Sequence, residues 1–173
     1  KRAGIFMVSC YTQSTKDMER LWEALKLSHK LHEGQVDKCG QPYWIHPFTV
    51  AMRGFTGYDR GLSYAIVGLL HDVPEDTEMS VEELATLIEL TNEEIEALKL
   101  LTRQDDMSYD EYIDSIVDSN NEIAIVVKMN DLLHNGNLNR FTEAGIDISE
   151  KDKKRASKYN MAFDRLYTKI NEI

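Results

Sequence analysis

The stretch LSYAIVGLLHDVPEDT, residues 62–77, joins an apolar run to a cluster of ionisable side chains. Nine apolar or small residues make about two and a half helical turns, which predicts a helix in the centre of a core. Four acids and imidazoles follow within seven positions. Leaving such groups desolvated and unpaired costs several kcal/mol each, roughly, whereas a divalent cation would stabilise them. The alternative is a surface helix end with scattered acids.

Spacing within this segment suggests paired side chains. His71 lies four residues before Glu75, and Asp72 lies four before Asp76, so each pair would share a face of a continuing helix. Pro74 lacks an N–H and disfavours the α conformation at the preceding residue. We therefore expect the helix to kink or end here, with both acids on its final turn or just beyond.

Helical periodicity continues along nearly the whole chain, and strand-like alternation is almost absent. We predict an all-α fold of about seven or eight helices, with residues 1–14 as an N-terminal extension and 15–173 as one domain. The predicted helices cover approximately 15–33, 47–53, 59–72, 81–89, 93–103, 108–117, 121–135 and 150–170. Their predicted N-caps include Ser14, Ser80, Asn92 and Asn120.

Composition excludes some classes of function. The net charge of −10 disfavours nucleic-acid binding, and no apolar run reaches the ~20 residues that a membrane span needs. Cys10 and Cys39 form no metal-binding spacing, which favours free thiols in a reducing cytoplasm. The sequence does not define the oligomeric state, and a homodimer remains open.

Two further segments carry chemistry. QPYWIHPFTVA, residues 41–51, holds His46 between aromatic residues and a proline. EIAIVVKMNDLLHNGNL, residues 122–138, holds Asp131 among apolar neighbours, where a carboxylate would be costly without a partner. Asn135 lies one helical turn after Asp131.

Together these segments resemble the HD phosphohydrolase superfamily, and most closely its RelA/SpoT-type (p)ppGpp pyrophosphohydrolases. HEGQVDKCGQPYWIHP (32–47) is similar to the group's HxGQxRKxGxPYxxHP, LLHDVPEDT (69–77) to LLHDxxEDT, and VKMNDLLHN (127–135) to VKxADxxxN. The resemblance covers about residues 16–140. It implies a helical HD domain and a metal-dependent hydrolase acting on a small nucleotide.

The resemblance also implies roles for particular residues. One divalent metal, usually manganese in the family, would be bound by His46, His71, Asp72 and Asp131. Glu75 and Asp76 would position and deprotonate the attacking water, and Asn135 would contact the nucleotide. Lys38 and Arg140 are the further candidates for substrate binding.

Compared with other members of the superfamily that it resembles, the histidine distribution of this chain bears on the number of metal ions. No histidine lies between Asp72 and Asp131, whereas two-metal HD enzymes take additional histidine ligands from this interval. The chain therefore favours one metal and disfavours redox chemistry at an iron site.

The chain departs from the family pattern at two basic positions. Asp37 replaces the arginine that contacts guanine in the family, and Asn137 stands where an arginine is frequent, with Arg140 as a potential substitute. These two changes leave the predicted metal ligands in place, but they remove basic side chains that would bind the substrate in the family. The first hypothesis is hydrolysis of (p)ppGpp; the alternatives are hydrolysis of another nucleotide and a non-catalytic nucleotide-binding module.

Other candidates have structural explanations. His29 and His32 lie on the apolar stripe of the first helix, with Met18 and Trp22, and we expect them to pack rather than to bind metal. We expect His134 to be solvated or to lie behind the metal ligands, with a substrate contact as the alternative. Arg103 is as compatible with a surface charge as with a phosphate contact.

Overall fold

The computed structural model describes residues 2–55 and 60–173, with side chains described from Thr15 onward. Within these ranges the chain forms ten helices, and the β pairing is limited to an isolated bridge between Val36 and Pro42. The helices are α1 (Arg2–Leu31), α2 (Ile45–Gly54), α3 (Gly61–Leu70), α4 (Val73–Asp76), α5 (Val81–Ile88), α6 (Asn92–Leu101), α7 (Tyr109–Asp118), α8 (Glu122–Asn135), α9 (Asn139–Glu143) and α10 (Glu150–Ile170).

The all-α fold is confirmed, and the eight predicted helices are present. The two additional helices, α4 and α9, have only four and five residues. One turn of helix is too short to produce a recognisable hydrophobic period, which is why the sequence reads as a turn there. α4 has the form expected around Pro74, because α3 ends at Leu70 and Pro74 lies in the first turn of the new helix.

Several helix ends differ from the predictions. The caps of α6 and α8 are Thr91 and Asn121, each one residue before or after the predicted asparagine, while the box of Ser80 with Glu83 at α5 is confirmed. Asn120 instead adopts a positive φ of 54°. An N-cap needs an extended backbone and a side-chain acceptor. Both neighbouring residues offer an acceptor in each case, so the sequence alone does not show which of the two caps the helix.

The first helix begins at Arg2, before the predicted cap at Ser14. The predicted division at residue 14 falls where side chains are not described, as does Cys10, while Cys39 is a buried free thiol. Met18 and Trp22 are more than half exposed, so the predicted apolar stripe of α1 is only partly buried. It packs on α3 and α5 through residues nearer its C-terminal end.

Helix α3 is the centre of the core. Every residue from Tyr64 to Leu70 is buried, and α3 packs against α1, α2, α6 and α8. α8 lies between α2, α3 and α10. The C-terminal end of α3 therefore meets α2 and the middle of α8 inside the protein, and this is where the ionisable segments converge.

Gly68 allows the close approach of α3 and α2. A Cβ at this position would lie 3.0 Å from both the backbone nitrogen and the Cα of Ala51. We expect Gly68→Ala to destabilise the protein by about 1–3 kcal/mol, because the two backbones must move apart. Urea unfolding measures this. An alanine in an unobstructed helix stabilises by about 0.5–1 kcal/mol relative to glycine, so an increase in stability would contradict the close packing.

Candidate metal centre

Four predicted metal residues meet where α2, α3 and α8 converge. His46 comes from α2, His71 and Asp72 follow α3, and Asp131 lies on α8. His46 Nε2 lies 3.2 Å from an oxygen of Asp72 and 3.2 Å from Oδ1 of Asp131. His71 Nε2 lies 3.2 Å from Asp72 Oδ1 and 3.9 Å from Asp131 Oδ1. Two imidazole nitrogens and two carboxylates therefore surround one small space.

The hydrogen bonds of the imidazoles leave one nitrogen of each ring available. His71 Nδ1 donates to the carbonyl of Gly68 at 2.8 Å, and His46 Nδ1 lies 2.6 Å from His134 Nδ1. The Nε2 atoms of His46 and His71 are buried and make no hydrogen bond within the described residues. Such an atom costs about 1–3 kcal/mol unless it has a partner. The donor set therefore fits a divalent cation.

Each carboxylate is held by neighbouring side chains. The hydroxyl of Tyr43 donates to Asp72 Oδ2 at 2.7 Å. Lys128 Nζ donates to Asp131 Oδ2 at 2.8 Å, and Asn135 Nδ2 donates to Asp131 Oδ1 at 2.5 Å. Partners of this kind fix the orientation of metal-binding carboxylates.

The electrostatic environment favours a cation. Burial alone would raise the pKa of Asp131, but the Lys128 ammonium and the adjacent imidazoles hold this pKa well below its ordinary value. Burial alone would lower the pKa of His46, but the carboxylates of Asp131 and Asp72 raise it to about 9. The carboxyl groups of Asp72 and Asp131 are therefore ionised, which is the form that binds a cation.

Glu75 and Asp76 lie beside this cluster on α4. Glu75 Oε1 accepts the backbone N–H of Arg103 at 2.6 Å. The side chains are partly exposed, yet the surrounding protein desolvates both carboxylates and, together with the charge of Asp72, raises their pKa values. A carboxylate with a raised pKa is a better proton acceptor than an ordinary one.

The predicted substrate residues lie around a cavity of about 320 Å³ next to the cluster. Arg140 forms an ion pair with Asp37 and donates to the carbonyl of His134 at 3.2 Å. Asn135 is turned toward Asp131. Lys38 is exposed at the cavity, and its pKa is lowered by partial burial and by the charge of Arg155. The side chain of Arg103, by contrast, donates to the carbonyl of Met107.

The other candidate histidines lie outside the cluster. His29 is exposed beside the ring of Trp44, and His32 is buried, with Nδ1 2.8 Å from Gln35 Oε1. His134 is not solvated, because only 7% of it is exposed. Burial, His46 and Arg140 lower its pKa to about 3.

Sequence reasoning missed two supporting residues. Tyr43 lies in the loop before α2, and nothing in the sequence indicates that its hydroxyl reaches Asp72. Lys128 carried a usable signal, because it lies three residues before Asp131 and so shares its helix face. Its ammonium also lies 4.9 Å from the centre of the Tyr112 ring.

In the part of the chain that the structure describes, no helix has both the length and the apolar character to cross a membrane.

Comparisons with known proteins find relatives that match part of the chain. The chain is 35% identical over 86 residues to the guanosine-3′,5′-bis(diphosphate) 3′-pyrophosphohydrolase of Borreliella burgdorferi, covering 49% of this chain and 13% of the relative. It is 43% identical over 72 residues to the GTP pyrophosphokinase of Myxococcus xanthus, covering 41% of this chain and 9% of the relative. The chain thus spans a small part of the curated relatives it matches. No family model matches it.

Similarity of fold extends further than similarity of sequence. A solved structure of a metazoan ortholog of SpoT, which hydrolyses ppGpp and plays a role in starvation responses, superposes with a TM-score of 0.64. The alignment covers 87% of this chain and 85% of that chain at 21% identity. Over part of its length the chain is thus similar in sequence to curated guanosine-3′,5′-bis(diphosphate) 3′-pyrophosphohydrolases, and its fold is similar to that of the SpoT ortholog.

Proposed function

We propose that the chain is a Mn²⁺-dependent pyrophosphohydrolase that releases pyrophosphate from the 3′ position of guanosine 3′,5′-bis(diphosphate). The observation that carries the proposal is the meeting of His46, His71, Asp72 and Asp131, in which both imidazole Nε2 atoms are buried, face the carboxylates and make no hydrogen bond within the described residues. The names of the curated relatives support the substrate. A cytoplasmic location and a homodimer stay predictions.

The chemistry follows from the residues beside this cluster. A divalent cation, when bound, lowers the pKa of water and neutralises charge on a phosphate oxygen. Glu75 and Asp76 accept the proton as the water oxygen attacks phosphorus, and their raised pKa values suit them for this. The bond from phosphorus to the 3′ oxygen breaks, the 3′ oxygen takes up a proton, and pyrophosphate leaves.

The lining of the cavity beside the cluster supports a nucleotide substrate. The cavity is lined by the cationic side chains of Lys38, Arg140 and Arg155, and by the ring of Tyr159. Cationic side chains bind phosphate groups, and an aromatic ring can stack on a nucleotide base. Asn135 lies at the boundary between this cavity and Asp131, which is where a ribose would connect base and reacting phosphate.

A different nucleotide is the second candidate, and Asp37 favours it. One oxygen of Asp37 accepts the backbone N–H groups of Cys39 and Gln41, at 2.8 and 2.9 Å, and the other pairs with Arg140. Asp37 therefore cannot supply the donors that the family's arginine offers to guanine. The negative charge of Asp37 also neutralises that of Arg140, one of the cationic side chains that line the cavity.

Pyrophosphate release from purified protein tests the proposal. The substrates are guanosine and adenosine 3′-pyrophosphates, each with and without a 5′-diphosphate, and the cation is Mn²⁺. We expect 3′-pyrophosphate release that EDTA abolishes and Mn²⁺ restores. Equal rates for guanine and adenine would favour the second candidate. Absence of release from every substrate would contradict hydrolysis of this class.

The acid limb of the pH profile provides a further prediction. Glu75 must be ionised to accept a proton, and desolvation raises its pKa above the ordinary 4.5. Activity should therefore be present above this raised pKa and be lost as the pH falls through it. The measurement is kcat at saturating Mn²⁺ across the acidic range. If the residual activity of Glu75→Gln kept the same acid limb, Glu75 would not be the group that titrates.

A further inference from the structure

A continuous chain of polar contacts connects the wall of the cavity to the metal centre. We propose that His134 is a positioning residue that fixes the ring of His46, and that the pair of Asp37 and Arg140 fixes His134 in turn. The inference rests on the proposed function in one respect, namely that His46 binds the cation.

The contact between the two imidazoles determines where their protons lie. His46 Nδ1 and His134 Nδ1 are 2.6 Å apart, and the rings are stacked with centres 4.8 Å apart. At this distance one nitrogen donates and the other accepts. His46 Nε2 faces the two carboxylates at 3.2 Å and needs its lone pair to bind a cation. The proton of His46 therefore lies on Nδ1, and His134 Nδ1 is the acceptor.

Arg140 favours the same arrangement. Its Nη1 lies 3.4 Å from His134 Nδ1 and donates to the His134 carbonyl at 3.2 Å. Since a guanidinium has only donors, it favours a lone pair on the His134 Nδ1 atom that it approaches. His134 thus receives donors from two sides, and both require the tautomer with its proton on Nε2.

Asp37 anchors this arrangement to the backbone of the neighbouring loop. Its carboxylate pairs with Arg140 and accepts the N–H groups of Cys39 and Gln41. The side chains of Asp37 and Arg140 are only 11% and 20% exposed. The acid that departs from the family pattern therefore has a structural partner in this chain, and its influence reaches the metal centre through His134.

Two variants at position 134 separate hydrogen bonding from packing. His134→Gln retains an oxygen that can accept from His46 Nδ1, whereas His134→Leu cannot accept. Calorimetric titration of metal-free protein with Mn²⁺ should show about 10–100-fold weaker binding for His134→Leu and substantial recovery for His134→Gln. His29→Leu, at an exposed histidine of α1, is the matched control and should bind Mn²⁺ as the wild type does. Asp37→Asn should weaken Mn²⁺ binding as well, although Asp37 does not touch the cluster.

The ring of His46 gives a second measurement that does not depend on the variants folding. In wild-type protein loaded with Zn²⁺, a diamagnetic cation, NMR of ¹⁵N-histidine should show the His46 proton on Nδ1 and none on Nε2. A proton on Nε2, or unchanged Mn²⁺ affinity in folded His134→Leu, would overturn the inference. If the wild type binds Mn²⁺ but hydrolyses no nucleotide, the proposed function fails and the inference stands. If the wild type does not bind Mn²⁺, both fail.

Discussion

His71→Asn is expected to abolish Mn²⁺ binding and to reduce hydrolysis to the rate of a protein-free control. An asparagine Nδ2 occupies nearly the position of the histidine Nδ1, so it can still donate to the carbonyl of Gly68, as His71 does at 2.8 Å. Nε2, which is buried and makes no hydrogen bond within the described residues, is lost together with Cε1. The variant therefore removes a proposed metal donor while retaining the bond that ties this segment to α3.

The measurements are Mn²⁺ stoichiometry by calorimetry and pyrophosphate release. His29→Asn is the matched control, because His29 is exposed on α1 and lies outside the cluster. The melting temperature of the metal-free variant should stay close to that of the metal-free wild type. A folded His71→Asn protein that binds one Mn²⁺ with unchanged affinity would contradict the assignment of this nitrogen.

Glu75→Gln is expected to lower kcat by about 10²–10⁴-fold without loss of Mn²⁺ binding. The glutamine retains an oxygen for the N–H of Arg103, which Glu75 accepts at 2.6 Å, so the local backbone should be preserved. What it loses is the ability to accept a proton. The KM for nucleotide should change little, because the proposed role concerns the attacking water and not substrate binding.

This variant also separates catalysis from mere binding. A non-catalytic nucleotide-binding module would show the same ligand affinity and the same cellular effect with glutamine as with glutamate. Glu82→Gln, an exposed acid on α5 that pairs with Lys99, is the control for loss of a negative charge. If Glu75→Gln and Glu82→Gln both retain full kcat, Glu75 does not serve as a base.

The hydrophobic period predicted the fold well where helices are long. The apolar run at residues 62–70 became the buried α3, and the kink at Pro74 was predicted from its missing N–H. The stripe on α1 was a weaker guide. Met18 and Trp22 fit its period but are more than half exposed. Periodicity shows which face of a helix is apolar, but it does not show how far along that face a partner helix packs.

For the candidate site, the sequence indicated the four proposed ligands and both acids of α4. It could do so because three segments resemble the HD superfamily, whereas the cost of a buried charge alone pointed only to residues 71–76 and to Asp131. What it could not indicate were contacts between loops and helices distant in sequence. The reach of Tyr43 to Asp72 and the pairing of Asp37 with Arg140 depend on the path of the loop between α1 and α2. The spacing of residues in the sequence gives no information on the path of this loop.

The position of His134 is also set by a contact between residues distant in sequence. From the sequence we expect His134 to be solvated or to lie behind the metal ligands. It is buried against His46, a residue 88 positions away in sequence. Only the packing of α2 on α8 brings the two rings together, and that packing is a tertiary property.

Anomalous diffraction at the manganese edge, from crystals grown with Mn²⁺, tests the central claim most directly. We predict one strong peak within coordination distance of His46 Nε2, His71 Nε2, Asp72 and Asp131. A peak ligated by other residues, or no peak in crystals of protein that hydrolyses nucleotide with Mn²⁺, would contradict it.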